Sequence, residues 1–217
     1  NMDCAEPFEL IVYGTPAEES FGSKVQMLER GCFRELDVAF MMHGGPNTCT
    51  DVKCLAQKSF NVTFHGKRAH AALAPEKGRS AFDAMLVAFQ GVEFLREHVP
   101  DDVRMHYCMT ELPGPSNVVP ATAKAEFSLR SFSKKELEDI SVRFQDIIKG
   151  AALIAGVDYE IQDGTFFFNK IPVLRLNQLL MDNAELAGAP QLAPPREKTG
   201  STDFGNVMYE IPGSCIR

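Results

Sequence analysis

Lys58-Ser-Phe-Asn-Val-Thr-Phe-His65 decides the fold. Its apolar residues recur at every second position, so Phe60, Val62 and Phe64 share one face of a β-strand. Downstream the period changes. Phe82, Met85, Phe89, Val92 and Leu95 recur at helical spacing, which predicts a helix over about Arg79 to His98. Val103 to Met109 reads as a strand, and the Pro-rich segment Thr110 to Pro120 as a loop. Thr122 to Arg130 alternates again, with Ala123, Ala125, Phe127 and Leu129 on one face. Ser133 with Glu136 three residues on forms a capping box. It opens a second helix that carries Leu137, Ile140, Phe144, Ile147, Ala151 and Ile154 to about Ala155. Val157 to Gln162 closes the region as a strand. The order β-α-β-β-α-β is the split βαβ (ferredoxin-like) pattern, an antiparallel sheet with two helices on one face.

The flanks read differently. Phe8-Glu-Leu-Ile-Val-Tyr13, closed by Gly14-Thr-Pro16, is expected to be a buried strand. A short helix follows over Ser23 to Arg30, with Ser23 as N-cap and Gly31 past its end. Leu36 to Met42 is a second buried run, ending at His43-Gly-Gly45. Strand, helix and strand with short links imply two parallel strands. Beyond Gly164, Val173 to Ala187 reads as a helix with Leu176, Leu179, Leu180 and Ala184 on its core side. Thr199-Gly-Ser-Thr-Asp203 is a loop, and Val207 to Ile211 a strand. The expected fold class is α/β. A parallel-sheet domain made of residues 1–54 and 165–217 is interrupted by an inserted α+β unit, residues 55–164.

The bulk composition excludes several classes. The net charge of the 217 residues is -7 and no basic run exceeds a dipeptide, so a nucleic-acid partner, which needs a concentrated cationic surface, is not expected. No apolar run approaches the roughly 18 residues of a membrane span. The six cysteines show neither CxxC nor zinc-finger spacing, and read as reduced thiols of a cytoplasmic protein. An apolar run begins within a few residues of Asn1, and the expected last strand lies close to Arg217, so the sequence reads as an incomplete chain.

Glu18 and Glu19 follow the first expected strand, and His43 follows the second. Parallel neighbours would bring all three to the C-terminal edge of the sheet, where ligands bind in open α/β folds. One carboxylate and the imidazole suit zinc or manganese, and the second carboxylate suits a base acting on metal-bound water. Spacing alone favours a solvated Glu pair and a loop histidine.

Gly14-Thr-Pro-Ala-Glu-Glu19, followed by Gly31-Cys-Phe33 and Asp37-Val-Ala-Phe-Met41 before His43, resembles the signature of the aminoacylase/carboxypeptidase G family of metal-dependent peptidases. The resemblance implies Glu18 as general base, Glu19 as a metal ligand and His43 as a further ligand. Histidine at that point is similar to the amidohydrolase-like and dipeptidase-like branches. Phe64-His-Gly-Lys-Arg-Ala-His-Ala71 resembles a lid motif whose second histidine, here His70, reaches an active site, often the partner subunit's, and assists the scissile carbonyl. Asn117, in Pro115-Ser-Asn-Val-Val-Pro120, matches a substrate-contacting residue. Arg130 matches an arginine that grips the substrate's free carboxylate, which its planar fork suits. Gly200-Ser201, in Gly200-Ser-Thr-Asp-Phe-Gly-Asn206, resembles a late substrate-side loop.

The implied activity is hydrolysis of amide bonds in dipeptides or N-acyl amino acids, by a homodimer formed through the lid, with one or two zinc or manganese ions per subunit. Two departures stand out. The family's upstream His-x-Asp ligands have no counterpart here, and no histidine follows Pro212. The expectation is a catalytically silent chain. The alternative is a non-catalytic module for dimerisation or small-ligand binding.

Overall fold

A computed structural model describes residues 7–19 and 21–217. Helix α1 (Ser23–Glu29) starts at Gly22, whose φ of 61° is left-handed, a region glycine enters without a Cβ penalty. Ser23 is therefore the first helical residue rather than the N-cap, and its buried hydroxyl has no partner. The helix ends as expected, with the N–H groups of Gly31 and Cys32 donating back to the carbonyls of Leu28 and Met27. Strand β1 (Ala39–Met42) alternates between half-buried and exposed, so Leu36–Met42 is a half-buried run and not a buried one.

Phe8–Tyr13 forms no strand, and Val12 is 87% exposed. Only its end is anchored. Tyr13 packs edge-on against Phe33 with ring centroids 5.1 Å apart, and its hydroxyl donates to the Cys32 carbonyl at 2.9 Å. The expected parallel pairing of the first two runs is thus not formed. A cavity of about 430 Å³ is lined by both of them, and β1 takes its parallel partner from the far end of the chain.

Strand β2 (Asp51–Cys54) leads directly into β3 (Ala56–His65). There follow α2 (Ala81–Arg96), β4 (Arg104–Glu111), β5 (Thr122–Ser131), α3 (Lys134–Ala155) and β6 (Asp158–Phe167). The four strands β3 to β6 make an antiparallel sheet in the order β4-β5-β3-β6. All seven apolar residues of the β3 and β5 alternations are buried. The helices cover that face with Met85, Val92, Leu137, Ile140, Phe144 and Ile148. Phe127 is central: its ring lies 4.9 Å from Phe144 and 5.7 Å from both Phe89 and Tyr107. Ser80 and Ser133 cap the helices, accepting the N–H groups of Asp83 and Glu136 and so satisfying donors with no intrahelical partner. Two expectations shift. Ile154 is 73% exposed while Ile148 is buried in the core, because the sheet-facing stripe of α3 also runs through Phe144 and its i+4 neighbour. Strand β6 runs on to Phe167, past the expected end at Gln162.

The C-terminal part adds α4 (Leu174–Leu186), β7 (Arg196–Thr199), α5 (Phe204–Met208) and β8 (Gly213–Ile216). Strand β8 pairs parallel with β1, and β7 parallel with β2. Val207–Ile211, expected as a strand, instead ends a helix. Phe204, Val207, Met208 and Ile211 are all buried against Phe33 and Cys215, and their i, i+3, i+4, i+7 spacing is helical. In α4 the buried residue is Asn177, while Leu179 is exposed.

The two chain crossings into the inserted unit are tied together. Lys170 Nζ meets Asp51 Oδ2 at 2.9 Å, with side chains 2% and 0% exposed. Arg217 Nε donates to both Asp51 oxygens. Burial pushes the Asp51 carboxyl up, but the hydrogen bond from Arg217 and the charge of Lys170 outweigh it and hold it below the usual carboxylate range. The Lys170 N–H also donates to Cys54 Sγ at 3.1 Å, and burial pushes that thiol up to about 11. The five described cysteines are free, and no described helix is long and apolar enough to cross a membrane.

Near the edge strand β4, Glu93 of α2 receives two bonds from Arg96 and one from Tyr107 Oη. These bonds lower its carboxyl to about 2. A depressed carboxylate contributes stability above its ordinary pKa and loses it as pH falls through the folded value. The contribution is small, because the Glu93 side chain is 42% exposed and screened by solvent. An NMR titration of the Glu93 carboxyl should show a midpoint near 2; a midpoint in the ordinary glutamate range would contradict the network. Phe127→Ala, which opens a cavity at the centre of the aromatic cluster, should cost about 3–5 kcal/mol in chemical denaturation.

Candidate active site

The segment before α1 doubles back sharply. Ala17 has φ 60°, a left-handed conformation that costs a residue bearing a Cβ about 1–2 kcal/mol. Its carbonyl accepts the N–H groups of Phe21 and Gly22 at 3.0 and 3.1 Å. This turn carries Glu18 and Glu19 across the end of β1. His43 directly follows β1, and its N–H donates to the Ile216 carbonyl at 2.9 Å, which puts it at the C-terminal edge of the parallel β1–β8 pair. An open pocket of about 320 Å³ is lined by Thr15, Glu18, Glu19, Lys24, His43 and Thr202, among others. The structure thus brings Glu18, Glu19 and His43 together, although no paired strand delivers the glutamates.

His43 Nδ1 lies 2.7 Å from the Gly44 carbonyl and 2.9 Å from Arg217 Nη1. One tautomer donates to Gly44 and leaves Nε2 free as a ligand. The other accepts from Arg217 and places the proton on Nε2. Gly200 is exposed, and the buried Ser201 hydroxyl, one residue from the pocket-lining Thr202, has no hydrogen-bond partner.

The lid residues fall at two ends of one sheet. His70 Nδ1 accepts the N–H groups of Ala72 and Leu73 at 3.2 and 3.3 Å, so its proton sits on Nε2, on an exposed side chain. The loop is zipped to the segment around Asn117: the Ala71 N–H donates to the Asn117 carbonyl, and the Val119 N–H to that of Ala69. His70 and Asn117 are therefore neighbours. Arg130 is not near them. It pairs with Gln57, at the β2 end of the sheet, while Thr122 pairs with His65 at the other end. The intervening strand is roughly 27 Å long at ~3.4 Å per residue.

Lys24, Asp203 and Arg217 are site residues that sequence patterns do not single out. Lys24 reads as an ordinary helix-surface residue, and Asp203 as one more polar residue of a loop. Their partners lie more than 160 residues away in the chain. Among the described residues no group of three His, Cys, Asp or Glu side chains is placed to hold a metal ion. Glu19 and His43 offer two donors, whereas a catalytic zinc ion takes three protein ligands and a water. The set present does not complete a metal centre.

An α/β body interrupted by an α+β unit, two helices on a four-stranded antiparallel sheet, is what this architecture defines. Residues 56–154 match the family described as peptidase dimerisation domain. The chain is 31% identical over 211 residues to the Xaa-Arg dipeptidase of Homo sapiens, covering 95% of this chain and 48% of that protein. It is 32% identical over 185 residues to one of the p-aminobenzoyl-glutamate hydrolase subunits of Escherichia coli, covering 82% and 38%. The crystal structure of an aminobenzoyl-glutamate utilization protein from Klebsiella pneumoniae shares the fold, with a TM-score of 0.71 at 23% identity over 88% of this chain and 52% of that one. The chain belongs to the aminoacylase/carboxypeptidase G family of peptidases. It spans about half the length, or less, of these curated relatives.

Ala17→Gly should relieve the backbone strain and stabilise the protein by up to about 1 kcal/mol in thermal or chemical unfolding. Long-range ¹H–¹⁵N correlation should show neutral His70 as the Nε2–H tautomer; an Nδ1–H signal would contradict the capped turn.

Proposed function

We propose that this chain is part of a metal-dependent hydrolase of amide bonds in dipeptides or N-acyl amino acids that carry a free carboxylate. The observation that supports this most directly is the convergence of Glu18, Glu19 and His43 on one pocket at the C-terminal edge of the parallel β1–β8 pair. In this reading Glu18 is the base, and Glu19 and His43 are two ligands of a zinc or manganese ion. When bound, such an ion supplies a Lewis acid and a water of lowered pKa. Two donors are too few to hold it tightly. Arg130 takes the substrate carboxylate. Gly200 and the unpartnered Ser201 hydroxyl line the substrate side.

His70 and Asn117, at the far end of the lid sheet from Arg130, serve the site of a second copy in a homodimer formed through the lid. Nε2–H of His70 then faces the scissile carbonyl as a donor, the role an oxyanion requires. The domain division that goes with this reading is 1–54 and 165–217 for the catalytic domain and 55–164 for the lid. The 217 residues by themselves are expected to bind metal weakly and to turn over little substrate.

Metal analysis after zinc loading, with hydrolysis assays on dipeptides ending in arginine and on N-acyl amino acids, tests the reading. Retained zinc should be well below one per chain and should fall further in Glu19→Ala and His43→Ala. Zinc retention indifferent to both substitutions would remove the proposed ligands. Brisk, chelator-sensitive turnover would overturn the expected silence.

The lid carries a complete core of its own, whereas the metal site has two donors. That contrast favours a second reading, a dimerisation or small-ligand module without catalysis. Residues 55–164 expressed alone should unfold cooperatively and sediment as a dimer; a molten or monomeric product would count against both the lid assignment and the module.

A further inference from the structure

Helix α1 opens without a cap of its own, since Gly22 has no side chain and the Ser23 hydroxyl is unpartnered. Its first-turn donor is satisfied from 179 residues away. The Lys24 N–H donates to Asp203 Oδ2 at 3.0 Å, and Lys24 Nζ meets Asp203 Oδ1 at 2.9 Å. Both side chains are buried. One carboxylate thus caps the helix, favoured there by the helix dipole, and neutralises a cation that would otherwise be buried alone.

The surroundings tie this pair to the candidate site. Lys24 and Thr202, the neighbour of Asp203, both line the pocket that contains Glu18, Glu19 and His43. On the other side, Gly22 bonds back to the strained Ala17, which directly precedes Glu18. The hydrogen bonds of Lys24 to Asp203 and of the Gly22 N–H to the Ala17 carbonyl, joined by the short stretch of chain between Gly22 and Lys24, therefore connect Asp203 to the residue that precedes Glu18. An unclamped turn would relax from the left-handed Ala17 conformation and carry the glutamates away from His43.

We propose that Asp203, acting through Lys24, is the positioning residue that holds the Glu18–Glu19 turn over the pocket and sets its distance from the Gly200–Thr202 loop. Asp203 does not touch the reacting atoms. The role as a positioning residue rests on the proposed hydrolase reading, while the clamp itself can be measured without any activity.

Hydrogen exchange read by mass spectrometry on the 217-residue chain tests it. Asp203→Asn keeps the size and one acceptor but loses the charge. Exchange of the Phe21 and Gly22 amides, which bond to the Ala17 carbonyl, should speed at least tenfold, while α5 and the lid helices exchange as before. Lys24→Met should give a smaller loosening of the same segment, and Lys24→Arg should restore most of the protection. The ¹³C carboxyl resonance of Glu18 should move with the loosening. Ile211→Val, in the adjacent small core but outside the clamp, should leave the Phe21 and Gly22 amides and that resonance unchanged.

An unaltered turn in Asp203→Asn overturns the proposal. Equal acceleration of the turn and α5 also overturns it, because the pair would then be only a structural tie. Zinc retention indifferent to Glu19→Ala and His43→Ala would count against the proposed function and leave the clamp standing.

Discussion

The buried carboxylate of Asp51 holds the two halves of this chain in register. It sits on β2, one step before the first crossing into the lid, and is held by Lys170, just after the second crossing. Arg217, after β8, closes the group. A lone carboxylate here would be costly to bury, and a lone ammonium equally so. Each therefore requires the other, and the three segments that carry them must meet. Asn177 of α4 adds a fourth by donating to the Asp51 carbonyl. The ends of the two chain crossings into the lid are thus tied by an ion pair with almost no access to water.

The candidate site depends on the same long-range logic. Its residues come from a turn near the N-terminus, the end of β1 and a loop near the C-terminus. Ala39 and Met41 of β1 rest on the small apolar cluster of the flanking body. Polar ties join the segments at the pocket: Lys24 to Asp203, Arg217 to His43, and the backbone of His43 to Ile216. The lid has a larger apolar core, shared by β3, β5, α2 and α3. The flanking body also has a small apolar core, around Phe33, Phe204, Val207 and Met208, and the polar ties add to it where its distant segments meet at the pocket.

The lid was legible because its signals are local. The alternation at Phe60, Val62 and Phe64 and the stripe at Phe82, Met85, Phe89, Val92 and Leu95 each require only their own neighbours in sequence, and Ser133 with Glu136 announces the start of the second helix. The flanks misled for the same reason. Phe8–Tyr13 is as apolar as a core strand, yet it is exposed because no described strand pairs with it. Val207–Ile211 is too short for its period to separate helix from strand. The partner of β1 lies some 170 residues away, at a distance that no local pattern reports.

The sequence by itself determined the βαββαβ unit, the faces that bury its core, and a family signature naming Glu18, Glu19 and His43 as residues to watch. Periodicity and short motifs carry that much, since they depend on spacing along the chain. Tertiary structure alone decided that the glutamates and the histidine share a pocket, that His70 and Arg130 stand at opposite ends of one sheet, and that Asp51 and Asp203 are buried anchors. Those facts depend on which distant segments meet, and an aspartate is written the same way in a sequence whether it faces water or a lysine far along the chain.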